Sequence, residues 1–172
     1  MDLITAIHEA GHTVAHRRFF PNWYLFGVAC VLVEEQEEEG AAGWSANEQL
    51  SGNEDAQTMA DFDTYLCAGY GAVLAARYSE DEAAAGCEND FSKVQGARAA
   101  AKAMALDLMR QPENVKAVKR IADELMLRRR LHSDHVTMLI DLSDGEITES
   151  EYQEALSFRG WNNNEPTLEP DA

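Results

Sequence analysis

The chain has 172 residues, 45% of them hydrophobic, which is enough for one ordinary domain with an adequate core and argues against wholesale disorder. Its net charge of −17 excludes nucleic acid as a natural partner, because phosphate binding needs clustered Lys and Arg, and equally disfavours an anionic membrane surface. No apolar run approaches the roughly 18 residues of a membrane span, and no basic-then-apolar leader opens the sequence. In chain order, Asp2 to Arg18 reads as a helix capped by Asp2, with Leu3, Ile7, Ala10 and Val14 at helical spacing and Pro21 ending it. Tyr24 to Val33 is rich in β-branched and aromatic residues, which predicts a buried strand. The acidic run Glu34 to Glu39 with Gly40 reads as an exposed loop, and Gly43-Trp44-Ser45-Ala46 returns as a second short strand.

Helical spacing resumes from Glu54 to about Tyr78 through Met59, Phe62, Leu66, Val73 and Leu74. Gly69 and Gly71 weaken that helix and predict close packing against a neighbour. After a polar loop, Asn89 to Arg110 is periodic in Phe91, Val94, Ala97, Ala101, Met104 and Leu108. Pro112 opens a helix carrying Val115, Val118, Ile121 and Leu125, and Ser133 caps a short one with Val136 and Leu139. Thr148 and Glu151 have the spacing of a capping box for the last helix, up to Phe158. The expectation is a mainly α fold, one domain over residues 1–159 with a small β hairpin or sheet beside the first helix, followed by a polar, frayed tail over 160–172. Cys30, Cys67 and Cys87 are odd in number and widely spaced, so neither a disulfide framework nor a thiolate metal knuckle is indicated. A cytoplasmic or other soluble intracellular compartment is expected.

Residues 8–12 read His-Glu-Ala-Gly-His. Histidines four apart project from one helical face, one turn above the other, so both imidazoles can reach one metal ion. Glu9 points about 100° away from His8, near enough to serve as a base without ligating. Zn2+ is the expected cofactor, with His8 and His12 as ligands and Glu9 as the proton carrier. Gly11 costs about 1 kcal/mol relative to Ala inside a helix, and its presence predicts that another segment approaches there. His16 lies one turn further along. Three histidines on one straight helix cannot converge on a tetrahedral ion, so His16 is read as a neighbour and the third ligand must come from elsewhere.

At these residues the chain resembles the peptidase domain of the FtsH-type ATP-dependent zinc proteases. Ala6-Ile7-His8-Glu9-Ala10-Gly11-His12 is similar to that family's zinc helix, and Gly40 to Ala46 resembles its Gly-x-x-Gly-aromatic segment entering a strand near the active site. Gly86-Cys87-Glu88-Asn89-Asp90-Phe91 is similar to the motif whose final aspartate is the third zinc ligand, and Ile121 to Leu125 with Leu131 and Val136 resembles the C-terminal helical pair. The resemblance runs in order from about Thr5 to about Ile140. It implies Asp90 as third ligand; taken alone, Asp90 reads as a helix-start carboxylate, with Asn89 as the cap of a long helix. It also implies a polypeptide substrate lying along the edge strand at Trp44, Ser45 and Ala46. Family members form ring hexamers, so a homo-oligomer is implied as well.

The chain departs from the family at Ala68 to Leu74, which lacks the usual Arg and Glu. It also holds no Gly-x-x-x-x-Gly-Lys-Ser/Thr loop, so the expected activity is ATP-independent. The expectation is therefore a zinc metalloendopeptidase acting on flexible or unfolded polypeptides, with no nucleic-acid or membrane partner. The alternative is a non-catalytic, zinc-stabilised protein-binding module of the same fold. Cys87, near Asp90, could be a redox-sensitive neighbour of the metal but reads more simply as inert. His132 and His135 flank a helix start, where capping or exposure is expected. Asp144 to Glu151 resembles half of a calcium loop, but Ile140 and Leu142 occupy ligand positions, so a turn and a capped helix are preferred.

Overall fold

The computed structural model describes residues 3–21, 28–29, 54–165 and 167. They form a mainly helical domain. Helix α1 spans Leu3–Phe19, α2 Ala56–Leu66, α3 Ala68–Ala75, α4 Glu80–Ala84, α5 Glu88–Lys93 and α6 Arg98–Met109. Helix α7 spans Pro112–Arg128, α8 Ser133–Asp144 and α9 Glu149–Phe158. Strands β1 (Val28–Ala29) and β2 (Arg130–Leu131) pair antiparallel, Val28 with Leu131 and Ala29 with Arg130, and β1 lies beside α1. The sheet seen here is thus not a hairpin: its second strand comes from the α7–α8 connection. The expected strand at 43–46 lies outside the described residues. Among those described, no helix is long and apolar enough to cross a membrane.

Helix α1 is central, packed on α3 and α7, with Ala6, Ala10, Val14 and Ala15 buried. Its crossing with α3 is close because Gly11 has no side chain: a Cβ there would lie 2.6 Å from both the Ala68 carbonyl oxygen and the Ala72 Cβ. Such a distance is sterically forbidden, so the glycine predicted to admit a neighbour does so. Below the crossing Phe20, Phe62 and Tyr65 pack edge-to-face and tilted, with centroids 5.6–6.4 Å apart.

Two expected long helices are broken, in each case by a tertiary demand that periodicity does not carry. The stretch 54–78 divides at Cys67 into α2 and α3, ending α2 just after Tyr65. The stretch 89–110 divides into α5 and α6, because the buried Asp63 carboxylate accepts the Gln95 and Gly96 backbone N–H groups at 2.9 and 2.8 Å. Those two N–H groups are then satisfied outside a helix. The supposed polar loop holds α4, closed by a Ser79–Glu82 capping box. Asn89 is not a cap; Cys87 occupies that position, and α5 is six residues long.

Helix α7 starts with Pro112 in its first turn, and Thr148 with Glu151 forms the predicted capping box of α9. The cap of α8 is His132, whose Nδ1 accepts the Asp134 N–H, and Ser133 is its first helical residue. Gly145 ends α8 at φ 80°, the turn preferred over a calcium loop. The frayed tail is corrected at its described residues. Trp161 stacks on His135, Arg128 donates to the carbonyls of Asn163 and Glu165, and Thr167 is buried with its N–H on the Arg130 carbonyl. A large apolar ring and a satisfied backbone outweigh a polar composition.

Candidate metal centre

Helix α1 brings His8, Glu9 and His12 to one place, and the first turn of α5 brings Asp90, 78 residues from His12, against both imidazoles. The His8 Nε2, His12 Nε2 and Asp90 Oδ2 atoms form a near-equilateral triangle: 3.0 Å between the two nitrogens, 3.3 Å from His8 to Asp90 and 3.2 Å from His12 to Asp90. All three groups are more than half buried.

The outer nitrogens determine what those atoms are. His12 Nδ1 lies 2.9 Å from the Tyr65 carbonyl oxygen, an acceptor only, so Nδ1 carries the proton and Nε2 of the neutral ring presents a lone pair. That carbonyl lies in the last turn of α2, which ends at Leu66. His8 Nδ1 faces Cys87 Sγ at 3.8 Å, and the Cys87 thiol itself donates to the Ala83 carbonyl at 3.1 Å. Sulfur lone pairs therefore meet His8 Nδ1–H, and the second Nε2 is again an acceptor. The His8 ring lies flat on Gly69, where a Cβ would come within 2.5 Å of its Cε1 and Nδ1.

Three acceptors at hydrogen-bond distance repel unless a cation joins them. Protonating an imidazole supplies one. Burial works to raise the Asp90 carboxyl, but hydrogen bonds and charge from His12 and His8 outweigh it and hold the group well below the usual carboxylate range. A divalent ion supplies the other. Ligands about 2.0–2.1 Å from a tetrahedral zinc stand about 3.3–3.4 Å from one another, close to the 3.0–3.3 Å found here. Two histidines and a carboxylate are also a donor set that catalytic zinc takes while keeping a position open. The residues fit the metal.

Comparison with protein-family models, with curated proteins and with solved structures finds no match. The resemblance to the FtsH-type peptidases therefore stands on the residues themselves.

Glu9 flanks the triad and lines, with His8, a cavity of about 130 Å³. Burial pushes its carboxyl up to about 7; the His8 charge opposes this and the Asp90 charge adds to it. His16 is buried but stands outside the triad, its ring beside Tyr65 and Phe20, and burial lowers its imidazole to about 4. Burial pushes the Cys87 thiol up to about 12, so it remains a thiol beside His8 rather than a reactive thiolate. Trp44, Ser45 and Ala46 lie outside the described residues. In the stretch 68–74, Tyr70 donates to Glu80 at 3.0 Å and carries Lys102 3.8 Å over its ring, while Val73 lines the cavity beside Glu9.

Sequence reasoning missed Tyr65, which acts through its backbone and leaves no side-chain signature. It also missed Cys87 as the partner of His8. Gly69 was legible as a site of close packing, though not as the bed of a ligand ring.

Proposed function

We propose that this chain is a zinc-dependent, ATP-independent peptidase that hydrolyses peptide bonds in flexible or unfolded polypeptides. The observation that carries the reading is the triangle of three inward-facing acceptors with the Glu9 carboxyl flanking it. His8, His12 and Asp90 would hold the metal. Bound zinc supplies Lewis acidity, which polarises a carbonyl and makes water easier to deprotonate near neutral pH.

The remaining work belongs to this chain's own groups. The Tyr65 carbonyl and the Cys87 thiol keep the two imidazole protons on Nδ1, so both Nε2 atoms stay directed inward. Glu9 takes a proton from the attacking water and returns it to the departing amine nitrogen. The water oxygen bonds to the carbonyl carbon, the C–N bond then breaks, and the water's second proton also ends on the amine, so an ammonium and a carboxylate leave.

A non-catalytic, zinc-stabilised binding module is the second reading. It is favoured by the segment Tyr70 to Leu74, which lacks the charges of the family that the chain resembles. The two part on one experiment: metal content of the purified chain, and cleavage of casein with and without chelator. Chelator-sensitive cleavage upholds the peptidase; one bound zinc with no cleavage upholds the module; no zinc overturns both.

A further inference from the structure

The cavity that opens on His8 and Glu9 is lined by Ile4, Thr5, Val73, Glu82, Ala85 and Gly86 as well. Ile4, Val73 and Ala85 make part of its wall apolar, and two carboxylates, Glu9 and Glu82, share the space. No Lys or Arg is among its described lining residues.

Glu82 is held in place. Its Oε2 accepts the Ser79 N–H at 2.8 Å and the Ser79 hydroxyl at 2.7 Å, in the capping box that starts α4. Those bonds hold the carboxyl below its ordinary range, so it is an anion at neutral pH, and no described residue bonds Oε1. The cap thus fixes a charge at the cavity at little further cost in side-chain freedom. An apolar stem with a cationic head matches such a space: methylenes lie along Ile4 and Val73 while the head meets Glu82. An acidic side chain would meet two carboxylates. The overall charge of −17 adds a field that draws cationic segments toward the chain.

We propose that this cavity is a substrate subsite that receives a lysine or arginine side chain adjoining the cleaved bond. This rests on the peptidase reading and names its substrate class: unfolded segments containing basic residues.

The test uses the zinc-loaded full chain and a set of quenched peptides identical except for Lys, Arg, Ala, Leu or Glu on either side of one bond. The expected result is kcat/KM about tenfold higher for Lys or Arg than for Ala on one side of the bond, with Glu poorest. Glu82→Gln preserves the capping box, since Gln serves at that position, and removes the charge. It should lower the Lys-to-Ala ratio about fivefold. Equilibrium binding of the same peptides to Glu9→Gln, and to Glu9→Gln with Glu82→Gln, gives a second readout without turnover. A ratio that Glu82→Gln leaves unchanged, or a set cleaved and bound without regard to charge, overturns the subsite. If no peptide is cleaved, the peptidase reading falls, and the binding comparison still decides whether Glu82 selects basic side chains.

Discussion

At His8, His12 and Asp90 the atoms that face one another are all acceptors, whereas around His135 donors and acceptors alternate. His135 Nε2 is 2.8 Å from the Tyr152 hydroxyl, and Arg128 spends its guanidinium on Glu124 and two tail carbonyls. Trp161 covers the His135 ring at 5.5 Å. Both clusters are buried histidine sites in a helical domain, yet their polarity differs. The second largely closes on itself, with His135 Nδ1 left over, and holds the tail to α7 and α8. The first sets three acceptors against one another, to be joined either by a proton on one imidazole or by a metal ion. Burial is common to both, so it does not tell them apart; the match or mismatch of donors with acceptors does.

The contrast can be broken most sharply at Glu9. Glu9→Gln should leave the zinc content at one per chain and cut casein hydrolysis by about 10²–10⁴-fold, the usual worth of a general base. Cleavage at the parental rate would remove Glu9 from its role. Asp90→Ala should weaken zinc binding by more than about 100-fold, beyond the loss typical of groups that only orient a ligand. His16→Ala should leave zinc affinity as it was; chelator competition measures both, and equal losses would sink the assignment.

The closed cluster should show its nature in acid. Burial, with the Arg128 and His132 charges, lowers His135 to about 4, from 6.5 when exposed. The unfolded chain therefore takes up that proton first. The stability His135 contributes is complete above about pH 6.5 and is lost as the pH falls toward 4, by roughly 3 kcal/mol over the window. His16 titrates over the same range. Urea melts of the parent and of His135→Gln between pH 7 and 4 separate the two, and an unchanged pH slope in the variant would count against the assignment. The smallest expected effect is Tyr152→Phe, which removes one buried hydrogen bond and should cost about 1 kcal/mol at pH 7 without altering zinc affinity.

How much of this was legible in the sequence depends on where each constraint acts. Helices α1, α7 and α9 are set locally, by apolar spacing, a first-turn proline and a capping box, and could be read directly. The breaks at Cys67 and after Lys93 could not, because one brings the Tyr65 carbonyl to His12 and the other answers to Asp63, both across the fold. Two of the converging side chains follow from a four-residue spacing on one helix. Asp90 was reachable only through a resemblance, since nothing local distinguishes it from any helix-start acid. The pairing of β1 with β2, about a hundred residues apart, had no local signal at all.

The way Thr167 sits on β2 has a consequence for how the chain behaves in a crowd of its own kind. A strand with a bare side offers N–H and C=O groups to any passing extended segment, which is how ordered aggregates begin. Here β1 takes one side of β2. On the other, the Arg130 carbonyl is met by the Thr167 N–H at 3.2 Å and the His132 N–H by the Thr167 hydroxyl at 2.6 Å. The second contact ends on a side chain, so at these described residues the groups of that edge are already taken by the chain's own Thr167 and not by a foreign strand.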